Sequence, residues 1–200
     1  MKRWIYILFA VAPLHLTSAQ QDLIEYQARL LAHVQNVPEG KTLGVAGWVI
    51  LPNVMRTTPF RTYTLAGIIA RSNERWVELM GGLRLNSDGT RETALDIRVL
   101  EQSLKWLDIF AEVEYSFTTR QWYLSPILTT TLASKNFGIK AGVEFDLFLH
   151  PQRTTFFYGP RVSLHFPVSE SVVKNVMFAT AYRLQENGEP VLRQYLLVNF

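Results

Sequence analysis

The sequence lacks cysteine, carries few charged residues and has no long hydrophobic run after its N-terminus. Its 200 residues include no cysteine, which excludes disulfides and a lipid-anchored N-terminal cysteine. Charged residues make up 18% of the chain, whereas about 25% is usual for a soluble domain. This deficit argues against a surface that is wholly exposed to water. No later stretch reaches the roughly 20 apolar residues that a membrane-spanning helix needs.

The first 19 residues have the pattern of a secretory signal peptide. Lys2 and Arg3 precede an apolar run over residues 4–14, and small residues follow at 17–19. We expect export of the chain and cleavage after Ala19. Without this segment, 18 basic residues face 17 acidic ones. The nearly neutral mature chain predicts no nucleic-acid partner.

Residues 20–40 predict a short periplasmic amphipathic helix followed by a linker. Apolar residues recur at spacings of three, four and seven, as on one face of a helix. They are Leu23, Tyr26, Leu30, Leu31 and Val34. The Pro-Glu-Gly sequence at 38–40 ends the pattern. We expect the helix to cap or plug the rest of the molecule, with a membrane-surface or partner-binding helix as the alternative.

From residue 41 to residue 200 the hydrophobicity alternates with a period of two, which is typical of β-strands. Over residues 137–149 every odd position is apolar, and most even positions are polar or glycine. The pattern predicts an all-β antiparallel barrel of about ten strands, within a range of 8–12. The candidate strands lie near residues 42–51, 61–71, 74–85, 91–100, 106–117, 121–132, 137–149, 154–166, 172–184 and 191–200. Pro126 and Pro160 fall inside two of them, where the missing amide donor predicts either a bulge or a different strand boundary.

Strand length and aromatic placement favour a transmembrane barrel. The candidates are about 10 to 14 residues long, whereas globular strands have about five or six and tilted transmembrane strands about 9 to 11. Aromatic residues lie near the strand ends, as they do at bilayer interfaces. Those predicted at one rim are Tyr115, Phe117, Trp122, Phe156 and Tyr158, and those at the other are Phe137, Phe166 and Phe200.

The C-terminal segment resembles that of bacterial outer-membrane β-barrel proteins. Leu196, Val198 and the final Phe200 occupy alternate positions of the last candidate strand, and Gln194 departs from this pattern. In that superfamily the last strand typically ends in an aromatic residue, and the assembly machinery reads the pattern. The resemblance implies an outer-membrane location, with membrane lipid and the barrel-assembly machinery as partners.

An even number of strands would place both ends of the barrel at the periplasmic rim. The extracellular connections would then be residues 52–60, 86–90, 118–120, 150–153 and 185–190. None of them is long. We therefore expect a compact barrel without a large surface domain or a long loop folded into the lumen.

The polar strand faces predict a charged lumen. Seven acidic and six basic residues lie on these faces and form the predicted lumen charge network: Glu78, Asp96, Asp108, Glu112, Glu114, Glu144 and Asp146 with Arg84, Arg98, Lys140, Arg161, Arg183 and Arg193. This near-balance favours cross-strand ion pairs that largely fill a narrow interior, because a strongly selective channel more often has one sign in excess. A structural role or a narrow passive channel follows.

The sequence predicts no enzyme, cofactor or metal site. Ser163 and His165 share a strand face, with glutamates across the lumen, which suggests a hydroxyl nucleophile and its base. Their predicted position close to the periplasmic rim disfavours an outer-membrane lipid hydrolase, which would act on outer-leaflet lipid. The four histidines are assigned to distant levels, so no metal cluster is expected.

A secreted or periplasmic soluble β-barrel that binds a lipid or another apolar ligand is the main alternative. Period-two alternation does not tell whether the apolar face points inward or outward, and a closed soluble barrel uses the same pattern inverted. The direction of the face at residues 137–149 decides between the two.

Overall fold

The described part of the chain consists of eleven β-strands and turns. The computed structural model describes residues 25–52, 61–86, 88–134, 137–168, 172–186, 188 and 190–200. Within these ranges no helix is long and apolar enough to cross a membrane. The predicted signal peptide and residues 20–24 of the predicted helix lie outside them. The strands are β1 (Glu25–Asn36), β2 (Leu43–Pro52), β3 (Arg61–Arg71), β4 (Arg75–Asn86), β5 (Arg91–Glu101), β6 (Asp108–Ser116), β7 (Gln121–Ser134), β8 (Gly138–His150), β9 (Arg153–Pro167), β10 (Asn175–Gln185) and β11 (Pro190–Asn199).

The eleven strands form one closed barrel in which strands consecutive in the chain are neighbours. Consecutive strands pair antiparallel, whereas β1 and β11 close the barrel in parallel. Parallel closure follows from the odd count, because the first and eleventh strands of an up-and-down series run in the same direction. The prediction of a closed all-β barrel is confirmed, and eleven strands fall within the predicted range.

Ten of the strands, β2 to β11, lie where the alternation predicts them, with ends that differ by three residues or fewer. Pro126 and Pro160 lie inside β7 and β9, as expected. The predictions of a bulge or a different boundary at these prolines are wrong, because both strands continue through them in register with one neighbour. The register shift between β7 and β8 lies at Thr131 and Ala133. Near each proline, the ladder to one neighbouring strand instead lacks register pairs, since proline has no amide hydrogen.

The predicted N-terminal helix is wrong for the described residues, because residues 25–36 form strand β1. This strand pairs with β2 and β11 on its two sides. Leu30 and Val34 point outward, with 38% and 48% of their surface exposed, while His33 is buried inside. Leu31 faces inward and packs against buried aromatic residues. Within the described residues, the barrel therefore begins at residue 25 rather than residue 41.

The two ends of the barrel lie at opposite rims, contrary to the expectation from an even strand count. We call the rim where β1 begins the first rim and the rim where β1 ends the second rim. The parallel register pairs Glu25 with Val191 and His33 with Asn199, so the chain ends at the second rim. The predicted extracellular connections 86–90, 118–120, 150–153 and 185–190 join strands at the first rim. Residues 53–60 lie outside the described residues.

The outer face of the barrel is apolar. Among the strand side chains that the structure describes, the charged residues on this face are Arg75, Arg91 and Glu101, and each lies at the end of a strand. Large apolar side chains are exposed there, including Val45 at 58% and Ile68 at 59%. The apolar face of residues 137–149 points outward in the same way. The charged and hydrogen-bonding side chains of the strands are thus collected inside.

An apolar cluster fills one side of the interior, at strands β2 to β5. Its buried members are Trp48, Ile50, Tyr63, Leu65, Met80 and Ala94. Polar side chains of β1 and of β4 to β11 line the remaining space.

Candidate functional site in the barrel lumen

The structure places all thirteen residues of the predicted lumen charge network on the inner face of the barrel. Nine of them are buried. The other four, Arg84, Asp108, Glu112 and Lys140, line the internal cavity. Buried charges need partners, and the network supplies them in groups on different walls of the lumen.

Glu144 lies at the centre of one group, which we call the basic cluster. The cluster consists of Arg29, Arg161, Arg183 and Arg193 with the carboxylates of Glu144 and Asp146. Arg161 and Tyr195 donate to opposite oxygens of the Glu144 carboxylate. Arg193 donates to it through Nη1 at 3.2 Å. Arg183 Nη1 also lies 3.4 Å from it, so one carboxylate is shared between donors from β9, β10 and β11.

Asp146 is the second acceptor of the basic cluster. The Nη1 atoms of Arg183 and Arg193 both lie 2.7 Å from the same oxygen, Asp146 Oδ2. Small inward side chains on β10 leave room for these guanidinium groups, because Ala179 and Ala181 are fully buried between the arginine-bearing strands β9 and β11. The sequence of β10 therefore permits the close packing of several arginines.

Two tyrosines complete the basic cluster and were missed by the sequence analysis. The Tyr123 hydroxyl donates to Asp146 at 2.8 Å. The Tyr195 ring lies under the Arg161 guanidinium, at 4.6 Å from the ring centroid. Both tyrosines occupy inward positions of the strand alternation, two residues from other inward side chains. The strand alternation could therefore have identified both tyrosines as inward-facing, but the sequence analysis used it to assign charged residues alone.

A second group, the acidic cluster, consists of Glu92, Asp96, Glu112 and Glu114 with Arg84 and Arg98. Arg98 is almost completely buried, and its Nε donates to Asp96 at 2.9 Å. Its Nη2 donates to Glu112 at 2.9 Å. The same guanidinium lies 4.3 Å from the Trp48 ring centroid. Arg98 thus joins the acidic cluster to the apolar cluster.

Arg84 neutralises part of the acidic cluster closer to the first rim. It donates to Glu114 at 2.9 Å and to Glu92 at 3.0 Å. Three carboxylates of the cluster have oxygens within 4.8 Å of one another, a spacing that could hold a cation. Each of these three carboxylates already accepts a hydrogen bond from Arg84 or Arg98. The geometry is accordingly that of an ion-pair network.

The two clusters lie on opposite sides of the lumen. The acidic cluster is on β4, β5 and β6, and the basic cluster is on β1 and β8 to β11. In the closed ring of eleven strands, β5 and β10 are five steps apart. Among the described side chains, one side therefore has four carboxylates with two guanidinium groups, and the other has four guanidinium groups with two carboxylates.

Glu78 belongs to a third group, whose other members the sequence analysis did not identify. His33 Nε2, Gln35 Nε2 and Trp48 Nε1 each lie 2.8 Å from a Glu78 carboxylate oxygen. The His33 ring stacks on Trp48 with a centroid distance of 3.9 Å, and its Nδ1 is 3.0 Å from Asn199 Oδ1. His33 and Gln35 were missed because their segment was interpreted as a helix.

The predicted Ser163 and His165 pair does meet inside the lumen. Ser163 Oγ lies 2.9 Å from His165 Nε2, and His165 lies two residues before the end of β9 at the second rim. In the part of the chain that the structure describes, no carboxylate is hydrogen-bonded to His165, whereas a catalytic base is usually oriented by such a group. Lys140, nearby, donates to Asp108.

The interior also holds a cavity of about 890 Å³. Its lining includes Ser116 and Gln121 from the first rim, and Gln102, Asn175 and Asn199 from the second. The cavity is thus bounded by residues from both ends of the barrel. Its walls carry the hydrogen-bonding and charged groups of both clusters.

The aromatic residues predicted for the first rim form two groups on the outer face. The Tyr115 ring centroid is 5.2 Å from that of Phe117 and 4.8 Å from that of Trp122. Phe156 and Tyr158 stack at 5.5 Å. The rim therefore has aromatic groups on strands β6, β7 and β9.

Aromatic residues also meet at the second rim, where the chain ends. Phe137 and Phe166 lie 6.1 Å apart, with 44% and 42% of their surface exposed. Leu196 and Val198 are on the outer face of β11, and the Phe200 amide donates to a carbonyl oxygen of β1 at 2.8 Å. The C-terminal residues thus belong to the parallel seam.

No protein-family model, curated protein or solved structure matches the chain. The functional argument therefore depends on the geometry of the lumen and of the outer face.

Proposed function

We propose that the chain is a transmembrane β-barrel of the bacterial outer membrane, and that its lumen is a narrow passive passage for small polar solutes. The observation that carries this proposal is the outer face, where the described charged side chains are confined to strand ends. Monomeric soluble proteins rarely expose apolar patches larger than a few hundred Å². Lipid is the solvent that suits such a face.

The separation of the aromatic clusters supports a bilayer of ordinary dimensions. Phe156 and Phe166 lie ten residues apart on β9. At a rise of about 3.3 Å per residue and a tilt of about 40°, this span covers about 25 Å along the barrel axis. Outer-membrane barrels have an apolar band of about 25 Å between their aromatic girdles.

The closed ladder supports the same proposal. In hydrocarbon every backbone amide and carbonyl group needs a partner within the protein, so a spanning sheet must have no free edge. The parallel seam between β1 and β11 supplies the last set of partners. Eleven strands depart from the even number that is typical of bacterial single-chain barrels. The odd count changes the rim at which β1 begins, and the closed barrel still has no free sheet edge among the described strands.

The cavity supports a passage more than a purely structural role. Spread over a barrel about 28 Å tall, its 890 Å³ corresponds to a mean cross-section of about 30 Å². This area suits water and small solutes. The paired charges on the walls keep the lumen polar and hydrated along its length.

The geometry gives less support to the other two functions that the sequence allows. A soluble barrel for an apolar ligand needs its apolar face inside, whereas the interior here has the charged residues. A lipid hydrolase needs a base oriented by a carboxylate and access to outer-leaflet lipid, and the inward His165 at the second rim has neither in the described residues. We therefore propose a non-enzymatic role without a cofactor.

Cysteines introduced at two neighbouring leucines of β1 test the proposed function. The natural chain has no cysteine, so a thiol reagent reacts only at the introduced position. Leu30 is 38% exposed on the outer face, and Leu31 lines the cavity. We expect a membrane-impermeant thiol reagent to modify Leu31→Cys in intact outer membranes and to lower the conductance of the reconstituted barrel. Leu30→Cys should react only after detergent or denaturant removes the lipid.

The matched pair separates the membrane claim from the passage claim. Rapid modification of Leu30→Cys in intact membranes would contradict a lipid-facing outer surface. Full modification of Leu31→Cys without any change in conductance, or no conductance at all in the unmodified barrel, would contradict the passage.

A further inference from the structure

The basic cluster has more positive charge than its own carboxylates neutralise. Arg161, Arg183 and Arg193 contact Glu144 or Asp146, and every oxygen of the two carboxylates already accepts a hydrogen bond from tyrosine or arginine. Among the described side chains, Arg29 has no carboxylate within salt-bridge distance. The unmatched charge of the cluster is therefore concentrated at Arg29.

Several donors of the same cluster lack acceptors. Arg29 Nε and Arg183 Nε and Nη2 are buried and have no hydrogen-bond partner in the described structure. A buried N–H group without an acceptor is unfavourable, most of all on a charged side chain. The planar fork of a guanidinium group matches the oxygens of a carboxylate, phosphate or sulfate. An oxyanion is thus the ligand class that these donors suit.

The cavity gives a solute access to this part of the cluster. Arg29 and Arg161 both line the cavity, whereas Arg183 is fully buried and does not line it. The two accessible guanidinium groups lie 5.9 Å and 4.6 Å from the ring centroid of Tyr195. Tyr195 is thus a shared neighbour of both guanidinium groups, which reach it from β1 and β9. The acidic cluster on the opposite wall repels anions toward them.

We propose that Arg29 and Arg161 form a binding site for the oxyanion group of a small solute in the lumen. The inference rests on the proposed passage and names the class of solute for which it has a site: molecules with a carboxylate, phosphate or sulfate group. Charge-assisted hydrogen bonds from two guanidinium groups provide the affinity.

Equilibrium dialysis of the folded full chain in detergent micelles against inorganic phosphate tests the site directly. At low ionic strength we expect saturable binding of one phosphate with a Kd of about 1 mM or tighter, as two charge-assisted contacts provide. Arg29→Gln should weaken binding at least tenfold. This variant removes a charge without a carboxylate partner, so we expect it to fold normally, which the migration of unheated protein on a gel checks.

Lys140→Gln is the matched control, because Lys140 is also a cavity-lining cation but is already paired with Asp108. We expect its affinity for phosphate to stay within twofold of the unchanged protein. Absence of saturable binding to the unchanged protein would overturn the proposal, and so would an unchanged affinity in Arg29→Gln. An equal loss in Lys140→Gln would overturn it too, since it would show a general positive potential in place of a site.

Phosphate binding can be measured on folded protein whether or not the barrel conducts, so the dialysis result and the conductance result are separate tests. A barrel that conducts but does not bind phosphate contradicts the oxyanion site alone. A barrel that binds phosphate but does not conduct contradicts the passage alone.

Discussion

Glu144 is the residue on which the lumen hydrogen bonds converge. It is fully buried and accepts from Arg161, Arg193 and Tyr195. Breaking a buried ion pair by removal of one partner leaves an uncompensated charge, which typically costs about 3–5 kcal/mol. We expect Glu144→Gln to lower the free energy of unfolding by that amount, measured by urea titration of the barrel in micelles with tryptophan fluorescence.

Glu101→Gln is the control for this prediction. Glu101 pairs with Arg75 at 3.6 Å near the surface of the barrel, where ion pairs contribute little because water screens them. We expect no measurable change in the unfolding midpoint of this variant. Equal midpoints for Glu144→Gln and the unchanged protein would contradict a structural role for the buried network.

At the residue scale, strand parity was enough to predict that thirteen charged residues face inward, although Glu92, on the same inner face, was not among them. The alternation is regular in β4 to β11 apart from the register shift at Thr131 and Ala133, so a charged position could be assigned to one face. Arg29 and His33 could not be assigned in this way because their segment has helical spacing. The partners of each charge were also not predictable, since they depend on strands that meet only when the barrel closes, as Glu78 and His33 do.

At the element scale, β1 shows where local pattern and tertiary structure disagree. The spacing of Leu30, Leu31 and Val34 is that of a helix, yet two of these residues face outward and one faces inward. Their segment is a strand because β2 and β11 both offer it hydrogen-bonding edges. Such pairing overrides intrinsic preference, which is weak over a single segment. The remaining strands were predictable because their alternation and their tertiary pairing agree.

The parallel seam can be tested with a pair of cysteines. Ala32 and Val198 are register partners on the outer face of β1 and β11. Paired residues on adjacent strands are close enough for a disulfide, which needs Cα atoms less than about 7 Å apart. We expect the Ala32→Cys, Val198→Cys double variant to form an intramolecular disulfide under mild oxidation, measured by mass spectrometry of proteolytic fragments.

The control pair places the second cysteine at the other end of β11. Leu192 lies six residues before Val198 on that strand, a distance of about 20 Å. The Ala32→Cys, Leu192→Cys variant should therefore remain reduced. A disulfide in the control pair, or none in the seam pair of a folded barrel, would contradict the parallel closure.

At the scale of the whole molecule, the barrel inverts the arrangement of a soluble protein. Charged side chains are inside and apolar ones are outside, yet the mean hydropathy is only +0.05. Each strand contributes equally to both faces, so the mean hydropathy resembles that of an ordinary globular chain, and only the low share of charged residues departs from it. The direction of the apolar face could not be derived from the period-two pattern. It is set by the closure of eleven strands around side chains such as Arg98 and Glu144, which need one another as partners.

The central claim is that this outer face meets lipid, and its most direct test is fractionation of cells that express the full-length chain. The outer-membrane fraction is run on a denaturing gel with and without boiling. The account predicts that the protein is in this fraction and migrates as a compact band that shifts when heated. Recovery in the soluble periplasmic fraction, with the same migration before and after boiling, would contradict it.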